Sequence, residues 1–479
     1  MKITNLNKYF RTFIIFFFLF AVLTKTNVSS WNDSSRMAQI QSIVEQGSLI
    51  IDKSYFSTKD KYFFNNHFYS DKPPILALYA SPFYYLLKNL GLSFEVNSRI
   101  AIYLVTLLSI GSLSALGLTI FRKIVVVFFN ATDEWADIVA FVAGTGTLIL
   151  PYSLCFNNHL PSGVFLLIGF YYLLNIKKNN KLINAVYSGF FLSLAGSVDI
   201  NFFLFIPFVL TSFFKKSIKS GLIFGISCIP MIILYLFLNL STSGSLMPPA
   251  MNAPLWDYPG SAFNKDNLSG LAKHDSIINI LIYAFHMLIG NRGLISHSPI
   301  LLFSIVGLLI FYSRYNQFKY KTEYSYMLLA AFLYIFIYIL NTTNYSGWSF
   351  GVRWFVSLML ILCLPIACLE SKIRSSKVTK SLFTYLAYLS IFISLIGAYY
   401  PFSPLNGKTD AEESLSPTNT IVSNIKSIVD NNSINTSSLK EFIVSIFPSL
   451  RFVIGAFIIY FLFNKLIQNL KSVRIKESE

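Results

Sequence analysis

The chain has 479 residues, 54% of them apolar and only 13% charged, with a formal net charge of +16. A soluble domain carries about 25% charge, and here apolar runs of about 15–25 residues recur along the whole chain, so a water-soluble, fibrous or disordered protein is excluded and an all-α polytopic membrane helical bundle is expected. The positive excess would suit a nucleic-acid partner, but its placement, described below, argues for no nucleic acid.

The first apolar run, 12–27, follows a basic start, and no small-residue cleavage site lies in Lys25–Ser30. It therefore reads as a retained anchor rather than a signal peptide. Trp31-Asn32-Asp33-Ser34-Ser35-Arg36 comes next, and Met37, Ile40, Ile43 and Val44 then fall at helical spacing. The stretch 34–46 reads as an amphipathic helix lying on the membrane. Asp33 has two readings: the N-cap of that helix, or a carboxylate at the mouth of a site, positioned as a general base. The sequence leaves both open.

Tyr69-Ser70-Asp71-Lys72-Pro73-Pro74 leads into the apolar helix 74–88. A cation at a helix start opposes the helix dipole. Lys72 makes sense there if a phosphate at the membrane interface meets both its ammonium and the free N–H groups. The plainer alternative is a Lys72–Asp71 surface pair. Helices 74–88 and 277–290, about 15 residues each, reach only ~22 Å against a ~30 Å hydrocarbon core, so both read as in-plane or re-entrant.

Twelve crossings are expected, at roughly 12–27, 98–121, 136–153, 160–176, 182–197, 200–214, 219–240, 294–312, 325–340, 354–369, 380–399 and 442–464. Polar residues in or near them mark candidate sites, because ionisable groups at membrane depth are costly. They are Asn157, Asn158 and His159, then Asp199, then Asn291 with Arg292. Asn344 through Trp354 holds two glycines and four aromatics and reads as a tight loop under a ligand. In it Arg353 either snorkels to the headgroups or binds a phosphate bidentately. Its aromatics, Tyr345 and Trp348 among them, are substrate contacts or an interfacial belt.

With the N-terminus cytoplasmic, the short loops on that side hold 22 of the 38 basic residues and 7 of the 22 acidic ones. The positive-inside rule requires such a bias, so the basic balance reports topology: both termini cytoplasmic and the polar segments 28–73, 241–276, 341–353 and 401–441 outside. The organisation expected is a transmembrane module over 1–400 with its first outer loop at 28–97, a polar loop over 401–441, and a last span with a basic tail over 442–479. Cys155, Cys228, Cys363 and Cys368 form no ligand-spaced cluster and the five histidines are scattered, so neither a metal nor a cofactor is expected. No internal repeat is evident, which weakens a transporter reading.

Asp33-x-x-Arg36-x-Ala38-x-Ile40, then Gly47, then Tyr69-x-x-Lys72-Pro73-Pro74, resembles the first outer loop of polyprenyl-phosphate-dependent glycosyltransferases of the GT-C fold, the protein O-mannosyltransferases and the aminoarabinose transferases that modify lipid A. Gly144 through Tyr152, Asn158-His159, Arg292-Gly293-Leu294 and Gly347 through Arg353 look like the pattern of bacterial members, and the likeness spans about residues 30–370. The resemblance implies a multi-pass plasma (inner) membrane enzyme with an extracytoplasmic active site. It would move a sugar from a polyprenyl-phosphate donor to a glycan, lipid or protein acceptor. Asp33 would be the base, and Lys72, Arg353 and Arg292 would hold the donor phosphate. Arg36, Tyr69, Asn158, His159, Tyr345 and Trp348 would be candidate substrate contacts. One departure is that many relatives carry a second acidic residue where this chain has Asn157-Asn158-His159. The alternatives are a lipid-linked glycan transporter or flippase, and an inactive protein of the same fold.

Overall fold

A computed structural model describes residues 3–263, 273–403, 413, 415–430 and 439–470, with the backbone alone at 3–6 and 439–448. In chain order its helices are α1 Ile3–Leu23, α2 Trp31–Gln46, α3 Ile75–Asn89, α4 Ser98–Phe128, α5 Asp133–Thr145, α6 Ile149–Ser153, α7 His159–Asn179, α8 Ile183–Val198, α9 Phe205–Lys216, α10 Ile218–Ser243, α11 Ile277–Leu288, α12 Leu301–Ser313, α13 Lys321–Asn341, α14 Arg353–Ser375, α15 Lys377–Tyr399, α16 Thr420–Asp430 and α17 Leu439–Asn469. One antiparallel hairpin, β1 Lys61–Phe64 and β2 His67–Ser70, pairs Lys61 with Ser70 and turns at Asn65 and Asn66. Both asparagines have positive φ, as the right-handed twist of a two-residue turn demands.

Seven helical segments among the described residues are long and apolar enough to cross a membrane: α4, α7, α10, α13, α14, α15 and the Ser449–Asn469 part of α17. They make the chain a multi-pass membrane protein. The full count of twelve expected crossings is not reached by length and composition. The run 136–153 falls on α5 and α6, which are separate helices, and 200–214 falls on a 3-10 turn followed by the 12-residue α9. The runs 182–197 and 294–312 fall on α8 and α12, of 16 and 13 residues. Apolar composition reports burial in lipid or in protein alike, and interrupted helices at membrane depth are tolerated where neighbouring helices cover them. Helices α3 and α11, at 15 and 12 residues, are as short as expected. Parts of the expected polar loop 401–441 and the tail beyond 470 lie outside the described residues.

Helix α7 is the axis of the molecule: 83% of its most apolar window is buried, against 17% for α17. It packs along α8, and α8 along α10. Small residues permit the approach, since a Cβ on Gly189 of α8 would stand 2.4 Å from the Phe224 carbonyl oxygen of α10. At the N-terminal end of α7, a Cβ on Gly163 would stand 2.3 Å from the Ser357 carbonyl oxygen, so α7 meets the first turn of α14 backbone to backbone. Between the membrane helices and the hairpin, α2 packs on α3. The expected surface helix 34–46 is instead interior, with Asp33 through Ser42 all buried. Its apolar stripe is short because both of its faces meet protein.

Charge on the face formed by the α4–α5 turn is arranged as a clamp. The fully buried Arg122 donates from Nη2 to Asp133 at 2.9 Å and from Nε to Asp137, while Lys8 reaches Asp133 at 2.7 Å. These pairs tie α1, α4 and α5 together.

Candidate active site

The site is built on the start of α2. Ser30 is the N-cap, and Asp33, at the third helical position, closes a capping box with it. The Asp33 carboxylate accepts from the Ser29 N–H at 2.9 Å, the Ser30 N–H at 2.8 Å, the Ser30 hydroxyl at 2.9 Å and the Ser34 N–H at 3.1 Å. It is 2% exposed. Burial pushes its carboxyl above the ordinary value despite those hydrogen bonds. The N-cap is thus Ser30 rather than Asp33, and the free carboxylate expected at a site mouth is replaced by one whose two oxygens are held by its own helix terminus.

One turn on, Arg36 lies buried on the same side of α2. Its Nη1 donates to the Asn32 carbonyl at 2.9 Å and to the Asn32 amide oxygen, and its Nη2 to Asn158 Oδ1 at 2.6 Å. Burial brings its guanidinium down to about 10, with Asp71 pulling the other way. No salt bridge joins it to a carboxylate among the described residues.

The end of the hairpin delivers Lys72. Ser35 Oγ ties α2 to the hairpin through the Asp60 carbonyl at 2.5 Å and Ser70 Oγ at 2.7 Å. Lys72 then sits between two carboxylates, 2.8 Å from Asp60 and 2.6 Å from Asp71, with 14% of its side chain exposed. The surface pair considered from sequence is therefore a buried triad. Burial pushes the Asp60 carboxyl up, but Lys72 together with Arg353 and Arg36 outweighs it and holds the group below its usual range. Burial raises that of Asp71, Asp60 adds to the rise, and Lys72 opposes it. Asp71 Oδ1 is buried without a hydrogen-bond partner.

A cavity of about 160 Å³ opens beside this triad, room for roughly five waters at liquid density. Tyr69, Asp71 and Lys72 line one wall, Asn158 and Asp199 another, and Tyr235, Asn239 and Thr242 of α10 a third. Tyr69 stacks on Tyr62 with ring centroids 5.7 Å apart. His159, the first residue of α7, has Nδ1 2.9 Å from Asp199 Oδ2. Asp199, at the end of the neighbouring helix, thus places a carboxylate beside the Asn157-Asn158-His159 segment. Among the described residues no group of three or more potential metal ligands comes together.

Arg353 stands at the start of α14, its N–H donating to Ser346 Oγ at 3.0 Å and its guanidinium 5.8 Å from the Phe402 ring. Its Nε is buried with no acceptor. Its charge acts on Arg36 and Asp60, so it belongs to the same cluster. The loop before it turns at Ser346 and Gly347, both with positive φ.

Three expected contacts lie elsewhere. Arg292 is buried as a clamp, with Nη1 on the Ser349 carbonyl at 2.7 Å and Nη2 on Glu413 at 3.1 Å. A cation this deep takes its counter-ion from its own chain, so the donor-phosphate contact expected of it is replaced by a structural one. Tyr345 is buried against Tyr283, at 4.5 Å between rings. Trp348 is 63% exposed, as an interfacial aromatic would be. Asp60 escaped the sequence reading because Thr58-Lys59-Asp60 is an ordinary polar loop in one dimension. Only the hairpin folds it over Lys72.

No protein-family profile matches the chain, and no curated protein matches it in sequence. Solved structures do. ArnT from Cupriavidus metallidurans in the apo state superposes with a TM-score of 0.52 at 9% identity, over 94% of this chain and 75% of that one. ArnT bound to undecaprenyl phosphate gives 0.48 at 8% identity, over 96% and 77%. The archaeal oligosaccharyltransferase AglB from Archaeoglobus fulgidus, in complex with an inhibitory peptide and a dolichol-phosphate, gives 0.48 at 11%, over 86% and 60%. The first of these shows the architecture: an all-α membrane bundle with the GT-C fold of ArnT.

Proposed function

We propose that this chain is a membrane glycosyltransferase that takes a sugar from a polyprenyl-phosphate donor, drawn from within the bilayer, and passes it to an extracytoplasmic acceptor. The observation that carries the reading is a pair of guanidiniums, Arg36 and Arg353, that share a cluster with Lys72, Asp60 and Asp71 yet make no direct salt bridge to a carboxylate among the described residues. Guanidinium donors held away from water with no carboxylate in direct contact are costly. A phosphate supplies the counter-ion and accepts from a guanidinium bidentately. When the sugar–phosphate bond breaks, charge develops on the leaving phosphate, and fixed cations stabilise it. Lys72 is the third cation, and a phosphate beside it competes with Asp60 and Asp71. Asp33 takes the part of a helix terminator in this scheme and fixes Arg36 one turn away.

The fold shared with ArnT supports the reading, and ArnT has been crystallised with undecaprenyl phosphate. Basic residues concentrated in loops on the side away from the site support an extracytoplasmic site with both termini cytoplasmic. The test is affinity for undecaprenyl phosphate. Arg353→Met weakens binding tenfold or more, about 1.4 kcal/mol, with little change in the unfolding temperature. Undiminished affinity contradicts the phosphate site.

A further inference from the structure

The donor end of the site leaves one question of chemistry open, namely which group takes the proton of the attacking hydroxyl. Asp33 is poorly placed, since its carboxylate already accepts three backbone N–H groups and a hydroxyl. Asp60 and Asp71 each hold the Lys72 ammonium through one carboxylate oxygen, and the other oxygen of Asp71 is buried without a hydrogen-bond partner. His159 differs from all three. Its Nδ1 lies 2.9 Å from Asp199 Oδ2, and a carboxylate there can only accept, so the proton sits on Nδ1 and the lone pair on Nε2. Among the described residues Nε2 has no hydrogen-bond partner.

Asp199 is itself held. Its Oδ1 accepts from Asn201 Nδ2 at 3.3 Å, and Asn201 also donates to the Tyr338 hydroxyl at 2.7 Å. Imidazole and carboxylate are 7% and 5% exposed, and Asp199 and Asn158, the partner and the chain neighbour of His159, line the same cavity as Lys72. The charged groups acting on His159 are Asp199, Arg353 and Arg36, and Asn158 lies beside it in the chain. The contact at Gly163 fixes the start of α7 against Ser357, four residues from Arg353.

We propose that His159 is the general base of this site and Asp199 its positioning residue, an assignment that rests on the transferase reading above. The acceptor's O–H proton passes to His159 Nε2 as its oxygen bonds to the anomeric carbon. The bond from that carbon to the phosphate oxygen breaks, and its electron pair leaves on the polyprenyl phosphate, whose charge faces Arg36 and Arg353. Asp199 stabilises the imidazolium that forms. The proton is then lost to solvent, and the site is restored.

The experiment uses the full chain in lipid nanodiscs, with undecaprenyl phosphate carrying a radiolabelled sugar as donor and a cell-envelope extract as acceptor. Turnover and affinity for undecaprenyl phosphate are read together. General-base catalysis contributes about 10²–10⁴-fold, so His159→Gln is expected to lower kcat at least a hundredfold and leave lipid-phosphate affinity within about twofold. Asp199→Asn, which keeps a polar partner but reverses the preferred tautomer, is expected to lower kcat about tenfold or more with KM for the donor unchanged. Turnover by His159→Gln within about threefold of the parent overturns the base assignment alone. So does a loss of turnover matched by an equal loss of lipid-phosphate affinity in both variants, since that marks a structural pair. A parent chain that releases no polyprenyl phosphate overturns the transferase reading and the base assignment with it.

Discussion

Lys72 shows how far a residue's role depends on neighbours that sequence does not reveal. Its place before two prolines suggested a cation opposing a helix dipole, one whose removal would cost the empty protein nothing. Lys72 instead bridges Asp60 and Asp71, all three largely buried. Removing one partner of such a group strands the others and costs about 3–5 kcal/mol. Lys72→Met is therefore expected to lower stability by that order in thermal or denaturant unfolding, and adding Asp60→Asn should restore part of it. An unchanged midpoint would show that the triad is not formed. Asp33 makes a second test. Burial raises its carboxyl above the value it has in the unfolded chain, so between those two values the folded chain binds more protons than the unfolded one. Its contribution is then fully present below the unfolded value and is lost as pH rises through the folded one. Asp33→Asn should flatten that part of the stability profile, read as unfolding temperature against pH, while turnover persists. Asp33 and Lys72 were legible as important because they stand in short, unusual motifs. Asp60 was not, because nothing in its own segment distinguishes it.

Among the elements, the start of α7 decides whether the site is assembled. Asn158 and His159 lie there, and Gly163 lets this end of the helix touch the turn that carries Arg353. A methyl group at Gly163 would have to displace the Ser357 carbonyl, and overpacking of this kind costs typically about 1–3 kcal/mol. Gly163→Ala should lower both stability and lipid-phosphate affinity, whereas Gly225→Ala, inside α10 where an added Cβ meets nothing within 4 Å, should leave affinity unchanged and stability unchanged or higher. Equal behaviour of the two variants would argue against the close approach. Long apolar runs such as those of α4, α7 and α10 were plain in the sequence because length and hydropathy suffice. The separate helices α5 and α6, and the 3-10 start of α14, were hidden because a run of apolar residues looks the same whether its backbone continues or breaks. Burial of α2 was hidden for a related reason: its polar residues, among them Ser35, Arg36, Gln39 and Gln41, find partners inside the protein, so a helix that reads as half-wet is interior.

At the scale of the whole molecule, the Lys72 triad, Arg36, Arg353 and the cavity beside them draw on α2, the hairpin, α7, α10 and α14, apart from the Arg122 clamp that joins α1, α4 and α5. If the charge bias sets orientation, single cysteines at Ser57 and Ser416 in a cysteine-free background should react with an impermeant reagent in intact cells, and one at Ser375 should not. Reaction at Ser375 would reverse the orientation. The bundle could be read from composition because lipid imposes one rule on every residue that faces it. The site depends on contacts between segments over a hundred residues apart, such as Arg36 with Asn158, and no local pattern encodes those. The central claim is that this site moves a sugar off a polyprenyl phosphate. Its most direct test is to incubate the purified chain with undecaprenyl phosphate bearing a radiolabelled sugar and a cell-envelope extract, and to measure released undecaprenyl phosphate. The account predicts release by the parent chain and a loss of tenfold or more in Arg353→Met, whereas no release by the parent across hexose and pentose donors, or equal release by both proteins, would contradict it.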